Sequence, residues 1–463
     1  MNMPSCLDLF KQGKLKAVIA PRPFLSLVQL GADILQTGND AQILDMQFSK
    51  NPFKDIKSKI EEYQPNFVGM TFTTPLFKEA KQISEFIKNK FPKITILAGG
   101  PHPSIFPIDT LRETKIDISV YGEGDITIQE IVQNKPLENV LGIAYKKSDS
   151  KIIKNYSRQL INNLDNLPFP AWHLIPVSQY INPKVMAKKN PVGTIETSRG
   201  CIFGCTFCNK KIFGHVFRIK SVKRVVDEFE LLKKSGFNEV HVFDDMFSTY
   251  LQRAKDICDE IIRRKLNITW QLDCGVRVNS IDQEFFDKCK KAGCYKVAFG
   301  FESGNQKILD RINKGIKVED GYKVVEMAKK SGLETIGFFI LGLPDETIET
   351  MEQTIKFACS LGLDYAKATI LVPFPGTPIF DEWKEKGIIK SENWEYYNDH
   401  NPQEIYTHPN LDWETLHKYY NKFYKRFYFR PSYIWHRFWK TLLNEGIKGI
   451  WGDFMIAIKT FVT

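Results

Sequence analysis

Three cysteines, Cys201, Cys205 and Cys208, stand in ETSRGCIFGCTFCNKKIFG (196–214) with three and then two residues between them. Clustered thiols in a chain of this size bind metal or do redox work. A structural zinc site would need a fourth protein ligand to close its tetrahedral shell. The candidates His215, Cys258, Cys274, Cys289 and Cys294 fall in no paired spacing with the first three. The other reading is an iron–sulfur cube with three irons held by these thiolates and the fourth iron open to a small molecule. The missing ligand then becomes the reactive position, as the open position does in a catalytic zinc site. Gly200 and Gly204 let the backbone wrap such a group closely, and Phe207 is placed to pack over it.

The elements that must hold this loop follow from periodicity. From Thr194 a series of apolar segments, GTIETS, EVHVFDD, ITWQLDCG, KVAFGFES, ETIGFFILGLP and YAKATILVPFP, alternates with helical stretches such as RVVDEFELLKKSG. Six strands with crossover helices predict an open or partial α/β barrel, whose active site lies at the strand C-termini. The cysteine loop leaves the first of these strands. Asp244 and Asp245 end the second; adjacent residues on a strand face opposite ways, so at most one faces a substrate.

The first third reads differently. LKAVIA (15–20), AQILDMQF, FVGMTFTT, KITILAGG and IDISVYGEG are apolar strand candidates separated by amphipathic stretches. That pattern predicts a doubly wound parallel sheet with helices on both faces and ligands at the strand C-termini. Thr73 and Thr74, GGPHPS (99–104) and YGEG (121–124) collect there. Neither a G-x-G-x-x-G after the first strand nor a P-loop is present. LPFPAWHLIP, with three prolines in ten residues, marks a linker.

The cysteine loop, with an aromatic before its last cysteine, resembles that of the radical S-adenosylmethionine (SAM) superfamily. VHVFDDMFS, DCGVRVN, VAFGFESGNQKILDRINKG, GFFILGLPDET and LVPFPGTPIF are similar, in order, to later segments of the subgroup that carries an N-terminal cobalamin domain. The resemblance implies a 4Fe-4S cluster on the three cysteines, with SAM chelating the open iron. Reductive cleavage then yields a 5′-deoxyadenosyl radical, while the protein positions the cofactors. SAM contacts implied by motif position are Phe207, Arg277, Glu302, Ser303, Gly342 and Pro344. Glu302 and Ser303 would also serve as a turn with a helix cap, and Arg277 as a structural ion pair.

By the same resemblance the first sheet is a Rossmann-like cobalamin-binding domain, with Thr73, Thr74, Gly99, Gly100, Gly122 and Gly124 around the corrin. Ordinary tight turns would recruit those glycines too. Many cobalamin proteins place a histidine below cobalt in a D-x-H-x-x-G loop. Here DMQFSKN puts Gln47 at that position, so cobalamin is expected without a histidine from that loop. The implied organisation is a cobalamin domain over 1–135, a linker over 136–190, the radical SAM partial barrel over 191–400 and a helical basic-aromatic extension over 401–463.

Composition bounds the rest. A chain of 463 residues, 43% hydrophobic and 25% charged, is folded and multidomain. It shows no signal-peptide pattern and no membrane span, which predicts a cytoplasmic protein. The net charge of +10 is modest, and half of it lies in the last 53 residues, with nine Lys and Arg against four Asp and Glu. WETLHKYYNKFYKRFYFRPSYIWHRFWK interleaves aromatics with cations. It reads as a helix packing on the barrel or as an interfacial helix on anionic lipid. Phosphate and base contacts are the weaker reading, so no nucleic-acid partner is expected.

The expected function is a cobalamin-dependent radical SAM methyltransferase acting at an unactivated carbon of a lipid or other small molecule. A flavodoxin- or ferredoxin-type protein would supply electrons. Oxidative cyclisation or rearrangement with the same cofactors is the alternative, and a non-catalytic cobalamin or redox sensor is the reading from another class. Methylthiotransferases share the barrel, but their N-terminal domain carries its own cysteines, and here Cys6 stands alone.

Overall fold

The strand Glu334–Leu341 shows how the larger sheet is built. Thr335, Gly337, Phe339 and Leu341 are buried under helices, while Ile336, Phe338 and Ile340 on the other face are half-buried. The sheet has six parallel strands, β6 (Val192–Ile195), β9 (Glu239–Val242), β10 (Thr269–Leu272), β11 (Cys294–Glu302), β12 (Glu334–Leu341) and β13 (Tyr365–Ile370), and the alternation is shared by β13 while β6, β9, β10 and β11 are buried almost throughout. Their order in the sheet is β13-β12-β11-β10-β9-β6. These are the six segments expected from the sequence. This computed structural model describes residues 20–148, 151–398 and 402–442.

Helices cross over outside this sheet and close its outer core. Ser221, Asp282 and Thr347 each cap the helix that follows, accepting from the backbone N–H three residues on. Phe229, Phe285, Phe286, Phe299 and Phe301 fill the layer between helices and strands.

The first sheet has the order β1 (Phe67–Thr71), β2 (Thr95–Gly99), β3 (Ile118–Val120), β4 (Ile143–Ser148), β5 (Lys151–Lys154). The first three are parallel, while β4 and β5 form an antiparallel hairpin on the edge. Two expectations change. LKAVIA lies outside the described residues except for Ala20. Residues 41–48 form no strand among the described residues, because Asp45 accepts from Gln47 N at 2.9 Å and turns Met46–Phe48 into a 3₁₀ helix. The first part of the expected linker holds the β4–β5 hairpin. Its lysine-rich edge hides the alternation on which strand reading depends.

The helix Trp413–Tyr428 packs its aromatic stripe on the barrel through Leu416, Phe423 and Phe427. Its tyrosine hydroxyls also satisfy the open edge of β13. Tyr428 accepts from Ala366 N at 3.1 Å and donates to Ala366 O at 2.8 Å, and Tyr424 does the same at Ala368.

Candidate functional site

A short hairpin pairs β7 (Ser198–Arg199) with β8 (Arg218–Ile219) and closes the cysteine loop between its strands. The loop folds tightly for identifiable reasons. Gly200 has φ +87°, and a Cβ there would lie 2.0 Å from Val216 O. A Cβ at Gly204 would meet Asn313 Nδ2 at 2.6 Å.

Cys201, Cys205 and Cys208 line one cavity of about 150 Å³, together with Phe203, Phe207, Lys210, Asp245, Met246, Arg277, Gly300 and Lys314. Burial pushes the Cys205 and Cys208 thiols up, opposed by the nearby ammonium of Lys314 and Lys210 respectively. Lys210 also hydrogen-bonds Cys201. Among the described residues no three His, Cys, Asp or Glu side chains converge on one ion's position. Three separated thiols around one cationic cavity fit a multi-iron cluster better than a single zinc.

The implied SAM contacts divide. Phe207 and Arg277 reach the cavity. The Arg277 guanidinium lies over the Phe203 ring at 3.5 Å, and its Nη2 donates to the carbonyls of Lys314 and Gly315 at 2.9 and 2.7 Å. It is anchored by carbonyls rather than by an ion pair. Glu302 sits beside the cavity at φ +64°, where a register irregularity between Gly300 and Glu302 re-aims its side chain. Its carboxylate accepts from Lys314 Nζ at 2.6 Å.

Ser303 is turned away from the cavity. Its Oγ meets Thr354 Oγ1 at 3.1 Å and accepts from Asn305 N, so it fastens a turn to a neighbouring helix. Gly342 and Pro344 also lie off the cavity. The Gly342 N–H donates to Glu346 at 2.6 Å, and a Cβ there would lie 3.2 Å from Leu416 of the C-terminal helix. The GLP segment is a structural turn against that helix.

The sequence reading missed Lys210, Lys314, Phe203 and Met246. Lys210 was within sight, two residues past the last cysteine. Lys314 belongs to a turn whose position depends on the carbonyl anchors of Arg277, and no spacing announces that. Of the aspartates, Asp245 lines the cavity and accepts from Gly200 N at 3.0 Å. Asp244 is buried behind it, bonded to Thr197 and Ser198, and burial pushes its carboxyl up to about 6.

A second cavity of about 1120 Å³ runs along the first sheet toward the barrel. Gly99, Gly100, Gly122 and Gly124 all line it, with Thr71, Ser104, Arg199 and Phe213. Ser104 ties the two glycine turns, donating to Gly100 O at 2.8 Å and accepting from Gly122 N at 3.2 Å. No heavy atom lies within 4 Å of a Cβ built on Gly122. The size and the bare glycine backbone fit a flat macrocycle.

Thr73 and Thr74 do not line this cavity. β1 ends at Thr71 and the chain turns into a 3₁₀ helix, leaving Thr73 exposed and Thr74 buried beside His102 Nδ1 at 3.3 Å. His102 packs among Phe72, Phe77, Phe106 and Trp394, and burial lowers its pKa to about 3. Gln47 is spent locally: it donates to Arg22 O at 2.8 Å and accepts from Arg22 N at 3.3 Å. No histidine is among the described residues lining the large cavity.

The same hairpin and its loop contribute residues to both cavities. Arg199, Ile212 and Phe213 line the large one, and Cys201, Phe203, Cys205, Phe207, Cys208 and Lys210 line the small one.

Comparisons with known proteins agree with this division. The model of the Radical SAM superfamily matches residues 195–358, and that of the B12 binding domain matches 25–132. The chain is 36% identical over 419 residues to an uncharacterized methyltransferase of Pyrococcus horikoshii, covering 89% of each. It is 29% identical over 380 residues to the anaerobic magnesium-protoporphyrin IX monomethyl ester cyclase of Rubrivivax gelatinosus, covering 79% of this chain and 67% of that protein. The radical S-adenosylmethionine methyltransferase TsrM of Kitasatospora setae shares the fold at 21% identity and a TM-score of 0.67, covering 82% of this chain and 76% of that one.

Proposed function

The chain belongs to the radical SAM enzymes that carry a B12-binding domain, and from that premise we propose that it transfers a methyl group to a carbon atom of a small molecule or lipid. The observation that carries this reading is the shared wall. One loop presents three thiols to one cavity and an arginine and a phenylalanine to the other. Two cofactors held on opposite sides of one loop can act on one substrate.

The residues divide the work. Cys201, Cys205 and Cys208 would hold the cluster, with Phe207, Arg277 and Lys314 beside it to receive SAM. Gly99, Gly100, Gly122 and Gly124 would cradle cobalamin. Bound there, these groups supply a 5′-deoxyadenosyl radical and a transferable methyl. The lysine and arginine charges at the small cavity favour an anionic carboxylate at its mouth. Phe203 and Phe207 shield it from water.

Anaerobic reconstitution with iron, sulfide, cobalamin, SAM and a strong reductant tests the reading. S-adenosylhomocysteine formed alongside 5′-deoxyadenosine, with host lipid and metabolite extracts as substrate source, is the expected result. Formation of 5′-deoxyadenosine alone favours the cyclisation alternative. Loss of iron in the Cys201→Ala, Cys205→Ala and Cys208→Ala variants assigns the ligands.

The finer partners belong to the same proposal. A low-potential flavodoxin- or ferredoxin-type donor would reduce the cluster. Residues 431–442 are helical and leave Ile434, Trp435, Phe438 and Trp439 exposed, while Arg437 and Lys440 bond Tyr365 and Asp364 on the barrel edge. That aromatic face suits peripheral contact with a lipid surface. No helix among the described residues is long and apolar enough to cross a membrane. Flotation with phosphatidylglycerol vesicles, expected for the native chain and lost in Trp435→Ala/Trp439→Ala, checks the contact.

A further inference from the structure

We infer that Glu123 and the two arginines it bridges form a clamp that couples occupancy of the glycine-lined cradle to closure of the cysteine loop. The inference rests on the cofactor assignment above and goes beyond it, because it makes the two sites energetically dependent on one another.

The hairpin register places Arg199 directly opposite Arg218, one at each foot of the loop that carries the thiols. Like charges opposite one another on neighbouring strands repel. Both side chains are buried, so little solvent screens that repulsion. One carboxylate resolves it. Glu123 accepts from Arg199 Nη1 at 2.9 Å and, with both oxygens, from Arg218 Nη1 at 2.9 Å.

Asp125 adds a two-pronged grip on Arg199 at 3.0 and 3.1 Å, and Glu196 takes its Nε at 2.9 Å. Arg218 has less support. Apart from Glu123, its only hydrogen bond among the described residues goes to Ile161 O; the guanidinium lies over the Phe213 ring at 5.8 Å, and its Nε and Nη2 have no hydrogen-bond partner there. Glu123 is therefore the group whose loss sets the two feet of the loop against each other.

Glu123 belongs to the turn that faces the cradle. Gly122 and Gly124 flank it, and both line the large cavity. The open space at Gly122 lets a ligand there press directly on the backbone that carries Glu123. Whatever orders this turn favours the closed hairpin, and whatever closes the hairpin orders the turn. Thermodynamic linkage makes the two effects equal in size. Buried ion pairs are poor sources of net stability, and a registering role of this kind is their best-attested use.

The test is binding, which needs no substrate. Hydroxocobalamin is titrated by visible absorption into the full chain carrying its reconstituted cluster and into the same chain stripped of iron. The clamp predicts affinity about tenfold higher with the cluster, within the usual span of allosteric couplings. In Glu123→Gln the two affinities become equal, a ratio that a merely structural loss would not move. If that variant does not fold, Asp125→Asn frees one side of Arg199 only and should shrink the ratio without abolishing it. Hydrogen exchange over 200–217 in iron-free protein should slow on adding cobalamin in the native chain and not in Glu123→Gln. Equal affinities in the native chain, or an undiminished ratio in a folded variant, overturn the clamp alone. Failure of cobalamin to bind in either form overturns the cofactor assignment with it.

Discussion

Lys314 Nζ and Glu302 Oε1 meet at 2.6 Å directly over Gly300, where a Cβ would lie 2.5 Å from that same carboxylate oxygen. The pair is nearly neutral as a unit and stands beside Cys205. Reduction of a cluster adds negative charge, so a neighbouring cation favours it and an anion opposes it. Glu302→Gln should therefore raise the cluster's reduction potential and Lys314→Met should lower it. Each shift is on the order of 1.4 kcal/mol, or roughly 60 mV for one electron. Redox titration followed by electron paramagnetic resonance measures both; shifts of the same sign would contradict the assigned geometry.

Gly200→Ala should leave the barrel folded and empty the thiol site. The substituted Cβ would lie 2.0 Å from a backbone oxygen that cannot rotate away, at a φ of +87° that L side chains avoid. Iron content after reconstitution is expected to fall at least severalfold while far-ultraviolet circular dichroism is unchanged. Alanine at Gly214, which has φ +64° but no heavy atom within 4 Å, is the milder control.

Glu346 carries a pH dependence whose sign is fixed by burial. Its Oε2 accepts from the N–H groups of Gly342 and Leu343, its Oε1 has no partner among the described residues, and burial raises its pKa to about 8. The folded state thus holds a proton that the unfolded state releases near pH 4.5. Stability from this group falls as pH rises from about 4.5 to 8, by at most a few kcal/mol. Glu346→Gln should flatten that part of the pH profile and raise the thermal midpoint at pH 8. A profile of unchanged slope refutes the assignment.

The barrel was legible because each strand is a short apolar run set off by an amphipathic helical stretch, and most of the runs end in glycine or polar residues. The cysteine spacing was legible for the same reason: it is local. What escaped depends on contacts between distant segments. Arg277 lines the cavity, yet the carbonyls that anchor it come from a turn nearly forty residues later. Ser303 and Gly342 carry the right residue types for ligand contact, and only packing against Thr354 and Leu416 turns them to structural use. At Thr73 and Thr74 the failure was one of register. β1 stops three residues before the end of the expected strand, and past a strand's end the alternation that predicts facing no longer holds. Gln47 shows that a position in a motif does not place a side chain: both ends of its amide are taken by the backbone of Arg22.

The edge of the barrel offers a test of how the C-terminal extension supports the site. Among the described residues β13 has no strand beyond it, and an open edge invites pairing with another chain. The rings of Tyr424 and Tyr428 stack with centroids 6.3 Å apart, close to the rise of two strand residues, so their hydroxyls meet Ala368 and Ala366 in register. Each hydroxyl both accepts from an amide and donates to a carbonyl, which no lysine or arginine in that tail could do. Tyr424→Phe/Tyr428→Phe keeps the apolar packing and leaves two amides and two carbonyls without these partners. A loss of about 1–3 kcal/mol for each group that stays dry is expected, less where water enters. Thermal unfolding should show a lower midpoint, and light scattering at the same temperature should show more association than in the native chain. If the double variant unfolds at the native midpoint and stays monodisperse, the hydroxyls do not guard the edge, and the aromatic stripe alone holds the helix.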